Sequence, residues 1–225
     1  MMGIFNKNPP TPRYTFIWDV EKVLLFVKSL PVDNSISDKL LSLKLVTLLA
    51  LTSASRASEI CQLDIRYLAK HTAWYSFTLA KPTKTHKPGK TFPVVKYFKF
   101  SDDLGLCVCH TIDLYLTRTE KWRKEESQML LSYISPHKKV STDTVSRWIK
   151  QCIRQAGIDT AVFKAHSTRA ASTSKAHLEG VSVSEIMKNA SWSNESTFQK
   201  FYNKTSESEI GKGFQMSVLN SFKQR

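Results

Sequence analysis

Apolar side chains recur along this chain at two different periods. In residues 18–30, Val20, Val23, Leu24 and Val27 fall three and four apart, the spacing of one helix face, and Pro31 closes the segment. Residues 37–51 are apolar nearly all round, which predicts a helix at the centre of the core. A break over residues 52–55 precedes a short helix at 56–63. The period then drops to two: Tyr75, Phe77 and Leu79 alternate with Ser76 and Thr78, and residues 92–98 are again strand-like. Between these runs, residues 81–90 hold two prolines, a glycine and four lysines, the composition of a turn. With a short strand near 65–68, the pattern predicts a small antiparallel three-stranded β-sheet. Helices resume at 106–124, at 145–155 (capped by Ser141 or Thr142), and at 169–178, 183–190 and 195–204. The predicted fold class is therefore mainly α with this small sheet.

Residues 1–13 read as a flexible leader, 14–204 as one domain, and 205–225 as a polar tail. Within the tail, Phe214, Val218, Leu219 and Phe222 share one helix face, which must be buried on its own domain or on a neighbouring protomer. No period of 20 to 50 residues repeats, so solenoids and propellers are set aside.

Composition narrows the class. At 225 residues and 41% hydrophobic, the chain can bury a substantial core, which argues against global disorder. No apolar run is long enough for a membrane span, and the first twelve residues lack the layout of a secretory signal. Four cysteines are too few for a disulfide scaffold and point to a reducing compartment. Charge changes the picture most. Thirty-three Lys and Arg against nineteen Asp and Glu give a net +14, which implies a polyanionic partner: DNA, RNA or, less often, an acidic membrane face. No basic amphipathic helix with a continuous aromatic face is evident, so nucleic acid ranks above membrane.

Three segments could carry chemistry. Arg56 and Glu59 stand three apart, on one helix face. His166 and Arg169 form an H-x-x-R that sets an imidazole and a guanidinium on one face. Trp192 is followed ten residues later by Tyr202. Taken singly, each has a bland reading as a surface ion pair, a chance spacing or a core aromatic. Cys107, Cys109 and His110 suggest zinc, but no second ligand pair has finger-like spacing, so they read as helix and core. No acidic cluster suggests a two-metal nuclease.

In this order, inside so basic a chain, these residues resemble the catalytic domain of tyrosine recombinases, the phage-integrase family. Arg56, Glu59, Lys84 of the Thr-Lys-Thr turn, His166, Arg169, Trp192 and Tyr202 fill the family's positions across about residues 15–204. The phrasing of residues 165–169 and 192–198 resembles recombinases of eukaryotic mobile elements of the DIRS, Ngaro or Crypton sort. One departure is that the tyrosine stands tenth after the Trp, where the family usually has it ninth; Phe201 occupies that ninth place.

The resemblance implies site-specific strand transfer on double-stranded DNA through a 3′-phosphotyrosyl link. Arg56 and Arg169 would hold the phosphate oxygens bidentately, and His166 would bond the phosphate or take the tyrosine proton. Trp192 would donate its indole N–H, Lys84 would protonate the leaving 5′ oxygen, and Tyr202 would attack. Glu59 would buttress Arg56 or His166, while Lys81, Lys87 and Lys90 would contact DNA. No metal, cofactor, membrane or small-molecule substrate is implied. A homo-oligomer on DNA, a tetrameric synapse, is implied, together with an N-terminal clamp domain beyond this chain. The expected location is the nucleus for a eukaryotic element, otherwise the cytoplasm with the chromosome. Alternatives are type IB topoisomerase-like relaxation, which usually pairs Lys and His where this chain has His166 and Trp192, and an inactive, domesticated DNA-binding domain.

Overall fold

The computed structural model describes residues 13–81, 89 and 91–205. Helix α1 (Val20–Ser29) opens at Asp19, whose carboxylate accepts the Glu21 N–H at 2.9 Å, and it buries Val20, Val23 and Val27. Trp18 therefore lies ahead of the helix rather than in it; its indole N–H donates to Ser167 Oγ at 2.8 Å. Helix α2 (Asp38–Ser53) is buried along most of its length, as its uniformly apolar sequence predicts. It runs past the expected break at Thr52, and the Thr52 and Ser53 hydroxyls spend their hydrogens within the helix, on the Leu48 and Leu49 carbonyls at 2.7 Å. The turn comes at Ala54, in the left-handed region at φ 50°. Helix α3 is short (Ala57–Ile60).

A single 3₁₀ turn, Ile65–Tyr67, stands where a strand was expected. Asp64 accepts the Arg66 N–H at 2.9 Å, and this local bond curls the chain before it can extend. Strands β1 (Leu68–Lys70), β2 (Trp74–Thr78) and β3 (Val94–Phe98) follow in an antiparallel sheet of order β1-β2-β3. Tyr75 pairs with Tyr97, and Tyr75, Phe77 and Tyr97 turn inward.

Helix α4 (Val108–Arg123) packs on β3, and α5 (Thr142–Gln155) packs on α2. Then come α6 (Ser167–Leu178), α7 (Val183–Asn189) and α8 (Glu195–Phe201). The last helix stops three residues short of its expected end, because the Tyr202 and Asn203 N–H groups both turn back to the Phe198 carbonyl, at 2.9 and 2.8 Å. Helix α2 is the hub, touching α4, α5, α6 and β3. The fold is mainly helical with a three-stranded antiparallel sheet. Among the described residues, no helix is long and apolar enough to cross a membrane.

Candidate active site

Arg169 lies at the centre of the arrangement, in the first turn of α6 and only 1% exposed. A buried guanidinium must spend its donors, and this one does so on backbone. Its Nη1 donates to the Ala54 carbonyl and its Nη2 to the Ala190 carbonyl, the latter at 2.8 Å. Both carbonyls stand at left-handed turns formed by residues other than glycine: Ala54 itself, and Ser191 at φ 53°, directly after Ala190. The Ala54 turn is tied by Ser53 Oγ, which accepts the Ser55 N–H at 3.2 Å and lies 2.7 Å from Ser55 Oγ. Among the described residues, Arg169 Nε has no partner.

Glu59 sits between the two arginines. Its carboxylate accepts the Arg56 N–H at 2.7 Å and Arg56 Nη1 at 2.6 Å, and lies 3.8 Å from Arg169 Nη1. Arg56 stands at the N-cap of α3, one residue ahead of the helix, so Glu59 reaches back to it rather than sharing a helix face. Burial, and next the like charge of Arg56, pull Arg169 down to about 10, while Glu59 and Tyr202 hold it up. It remains a cation at neutral pH. Two guanidiniums with one carboxylate between them leave a net positive site that an arriving anion would relieve.

His166 occupies the N-cap position of α6, not its first turn. Its Nε2 lies 3.0 Å from the Tyr202 hydroxyl. Tyr202 follows the last residue of α8, and its ring packs 4.2 Å from Trp192, centroid to centroid. Trp192 in turn lies 5.1 Å from the Arg169 guanidinium, within cation–π range. Behind it, Phe198 is fully buried and touches Trp192 and His177 edge or tilt. Beside these groups opens a cavity of about 230 Å³. Arg56, His166 and Arg169 line it, with Ser58, Thr142 and Ser146 supplying hydroxyls.

The structure thus brings together Arg56, Glu59, His166, Arg169, Trp192 and Tyr202. Lys84, Lys87 and Lys90 lie outside the described residues, as do the leader to residue 12 and the tail from 206. Lys81 is exposed and lines a separate cleft with Arg66 and Lys139. Sequence reasoning missed Thr142 and Ser146 at the cavity and the two carbonyls that hold Arg169. The first pair carries a faint signal as polar positions at the start of an amphipathic helix; the carbonyls carry none. Cys107 and Cys109 are buried, Cys107 at the N-cap of α4, and His110 Nε2 lies 2.7 Å from the Val32 carbonyl. Among the described residues, no three His, Cys, Asp or Glu side chains are grouped to hold a metal ion.

Residues 19–209 match the sequence model of the phage integrase family. Comparison with curated proteins returned no match. Among solved structures, the chain is similar to XerA recombinase at 15% identity and TM-score 0.63, covering 95% of this chain and 67% of that one. It is similar to the XerH site-specific recombinase bound to difH substrate in a pre-cleavage complex at 12% identity and TM-score 0.61, covering 82% of this chain and 49% of that one. It is also similar to the Tn1549 transposon integrase in complex with transposon right end DNA, at 11% identity and TM-score 0.61, covering 96% and 70%. The chain spans about half the length of the XerH chain, and at these identities the likeness is one of fold.

Proposed function

The chain belongs to the phage integrase family, and on that premise we propose that it cuts and rejoins duplex DNA as a site-specific recombinase, with Tyr202 as nucleophile. The observation that carries this reading is the 3.0 Å approach of His166 Nε2 to the Tyr202 hydroxyl, beside two guanidiniums. With Nε2 unprotonated, His166 accepts the phenolic proton as the Tyr202 oxygen attacks phosphorus. The bond from phosphorus to the 5′ oxygen breaks, and that oxygen takes a proton, by resemblance from Lys84. A 3′-phosphotyrosyl diester remains. One phosphodiester has replaced another, so a 5′ hydroxyl can reverse the step without an energy source.

Negative charge grows on the non-bridging oxygens during attack. Arg56 and Arg169 both line the cavity, and Arg56, its side chain 18% exposed against 1%, is the more open of the two guanidiniums. Arg169, with two donors already committed to carbonyls, contributes mainly through its fixed positive charge and its remaining N–H groups. Trp192 shields both Arg169 and the Tyr202 ring. Because Tyr202 meets the His166 of its own chain, the reading is one of cleavage in cis.

The finer reading follows the phrasing of residues 165–169 and 192–198: a mobile-element recombinase, acting as a homo-oligomer on DNA and, in a eukaryote, in the nucleus. The test is a pool of randomised duplexes carrying a nick that traps the covalent intermediate. An adduct on the Tyr202 peptide is expected, formed equally in EDTA and absent in Tyr202→Phe, which loses one hydroxyl at little packing cost. An adduct on another tyrosine, or none across the pool despite duplex binding, would overturn the assignment.

A further inference from the structure

Tyr202 caps α8: its N–H still donates to the Phe198 carbonyl at 2.9 Å, while its own carbonyl has turned out of the helix. That carbonyl side is held from α6. The Ser174 hydroxyl donates to the Tyr202 carbonyl and accepts the Lys204 N–H at 2.9 Å, gripping the backbone on either side of Asn203. A serine hydroxyl has one hydrogen to give and lone pairs to receive, and here both capacities go to one stretch of chain. Ser174 is 2% exposed, so water is poorly placed to substitute for it. One residue further on, the Thr205 carbonyl accepts the Ile17 N–H at 3.1 Å, which anchors the segment again.

Ser174 follows Arg169 by five residues on the same helix, a rise of about 7.5 Å. One rigid element therefore holds both the buried guanidinium and the backbone of the tyrosine. We propose that Ser174 is a positioning residue: its hydroxyl sets the peptide of Tyr202 so that the phenol meets His166 and the cavity beside Arg56. This rests on Tyr202 being the nucleophile. It assigns Ser174 no contact with DNA and no proton transfer, so its loss should slow attack without weakening DNA binding.

Ser174→Ala removes both bonds and one oxygen. Amide hydrogen exchange in the free protein reads the clasp directly: exchange at Lys204 is expected to quicken at least tenfold, with the amides of α6 unchanged. In single-turnover adduct formation, the rate should fall about tenfold to a hundredfold, the scale of a small misplacement of a reacting group. Duplex affinity should stay near that of the unaltered chain, while the melting temperature falls by about 2–6 °C, because two backbone groups lose their buried partner. Ser174→Cys, close in size but a weak hydrogen-bonding group, should fall between the two in both measurements. Unchanged Lys204 exchange in Ser174→Ala would overturn the proposal, as would an unchanged adduct rate or a loss of rate matched by an equal loss of duplex affinity. If Ser174→Ala does not fold, Ser174→Cys carries the same comparison. If the unaltered chain forms no adduct at Tyr202, the nucleophile reading fails, and exchange at Lys204 still decides whether Ser174 holds that peptide.

Discussion

A left-handed alanine is an unusual choice for a turn. An L-residue in that region costs roughly 1–2 kcal/mol, because its Cβ crowds the following carbonyl. Ala54 nonetheless adopts φ 50°, and the same turn directs its carbonyl onto Arg169. Replacing it with glycine removes the crowding but adds freedom to the unfolded chain. Ala54→Gly is therefore expected to gain roughly 0.5–1 kcal/mol, seen as a melting temperature higher by about 1–3 °C. A lower melting temperature would mean that the Ala54 methyl packs more usefully than the strain costs. The two arginines should separate in the same assay. Arg169→Ala leaves two carbonyls and Glu59 without their buried cation, a loss of roughly 3 kcal/mol or more. Arg56→Ala empties a partly open site while Glu59 keeps Arg169 nearby, so it should melt much closer to the unaltered chain yet lose most of its adduct formation. Equal melting losses would place the two guanidiniums in the same structural role.

Helix α5 joins the core to the cavity. Val145, Trp148, Ile149, Cys152 and Ile153 form its buried stripe, while Thr142 and Ser146 face the cavity. Burial pushes the Cys152 thiol from 9.0 up to about 11, and Cys109 in α4 likewise to about 11. Between these values, the unfolded thiols have released protons that the folded ones retain. Stability from this source is thus complete below pH 9 and is lost as pH rises toward 11. Thermal melts should show that decline, and Cys152→Ala, whatever its effect at neutral pH, should make the decline shallower; an equal slope would remove Cys152 from the account. The spacing of the α5 stripe was legible in the sequence because burial on one helix face leaves a period in the letters. The separations of Arg56, His166, Arg169, Trp192 and Tyr202 were legible because side-chain chemistry has letters too. The grip on Arg169 was not, since a backbone carbonyl looks alike at every residue and alanine gives no sign of positive φ. Neither was Ser174, one serine among several in α6. The strand expected near 65–68 is present but begins only at Leu68, because Asp64 bonds locally to Arg66 and curls the residues before it.

Taken whole, the molecule carries a net charge of +14. If duplex DNA is its partner, the logarithm of affinity should fall linearly with the logarithm of salt, by about 0.9 for each phosphate neutralised. Affinity measured from low to moderate salt checks this, and a flat line would remove the nucleic-acid reading. The Ala54 and Ala190 carbonyls that grip Arg169 also impose an order in time. A chain emerging from the ribosome presents Arg56, then His166 and Arg169, well before residue 190 and the tyrosine at 202 exist outside the exit tunnel. On the reading proposed above, a chain that stops short of residue 190 therefore lacks both the second carbonyl that seats Arg169 and the attacking phenol.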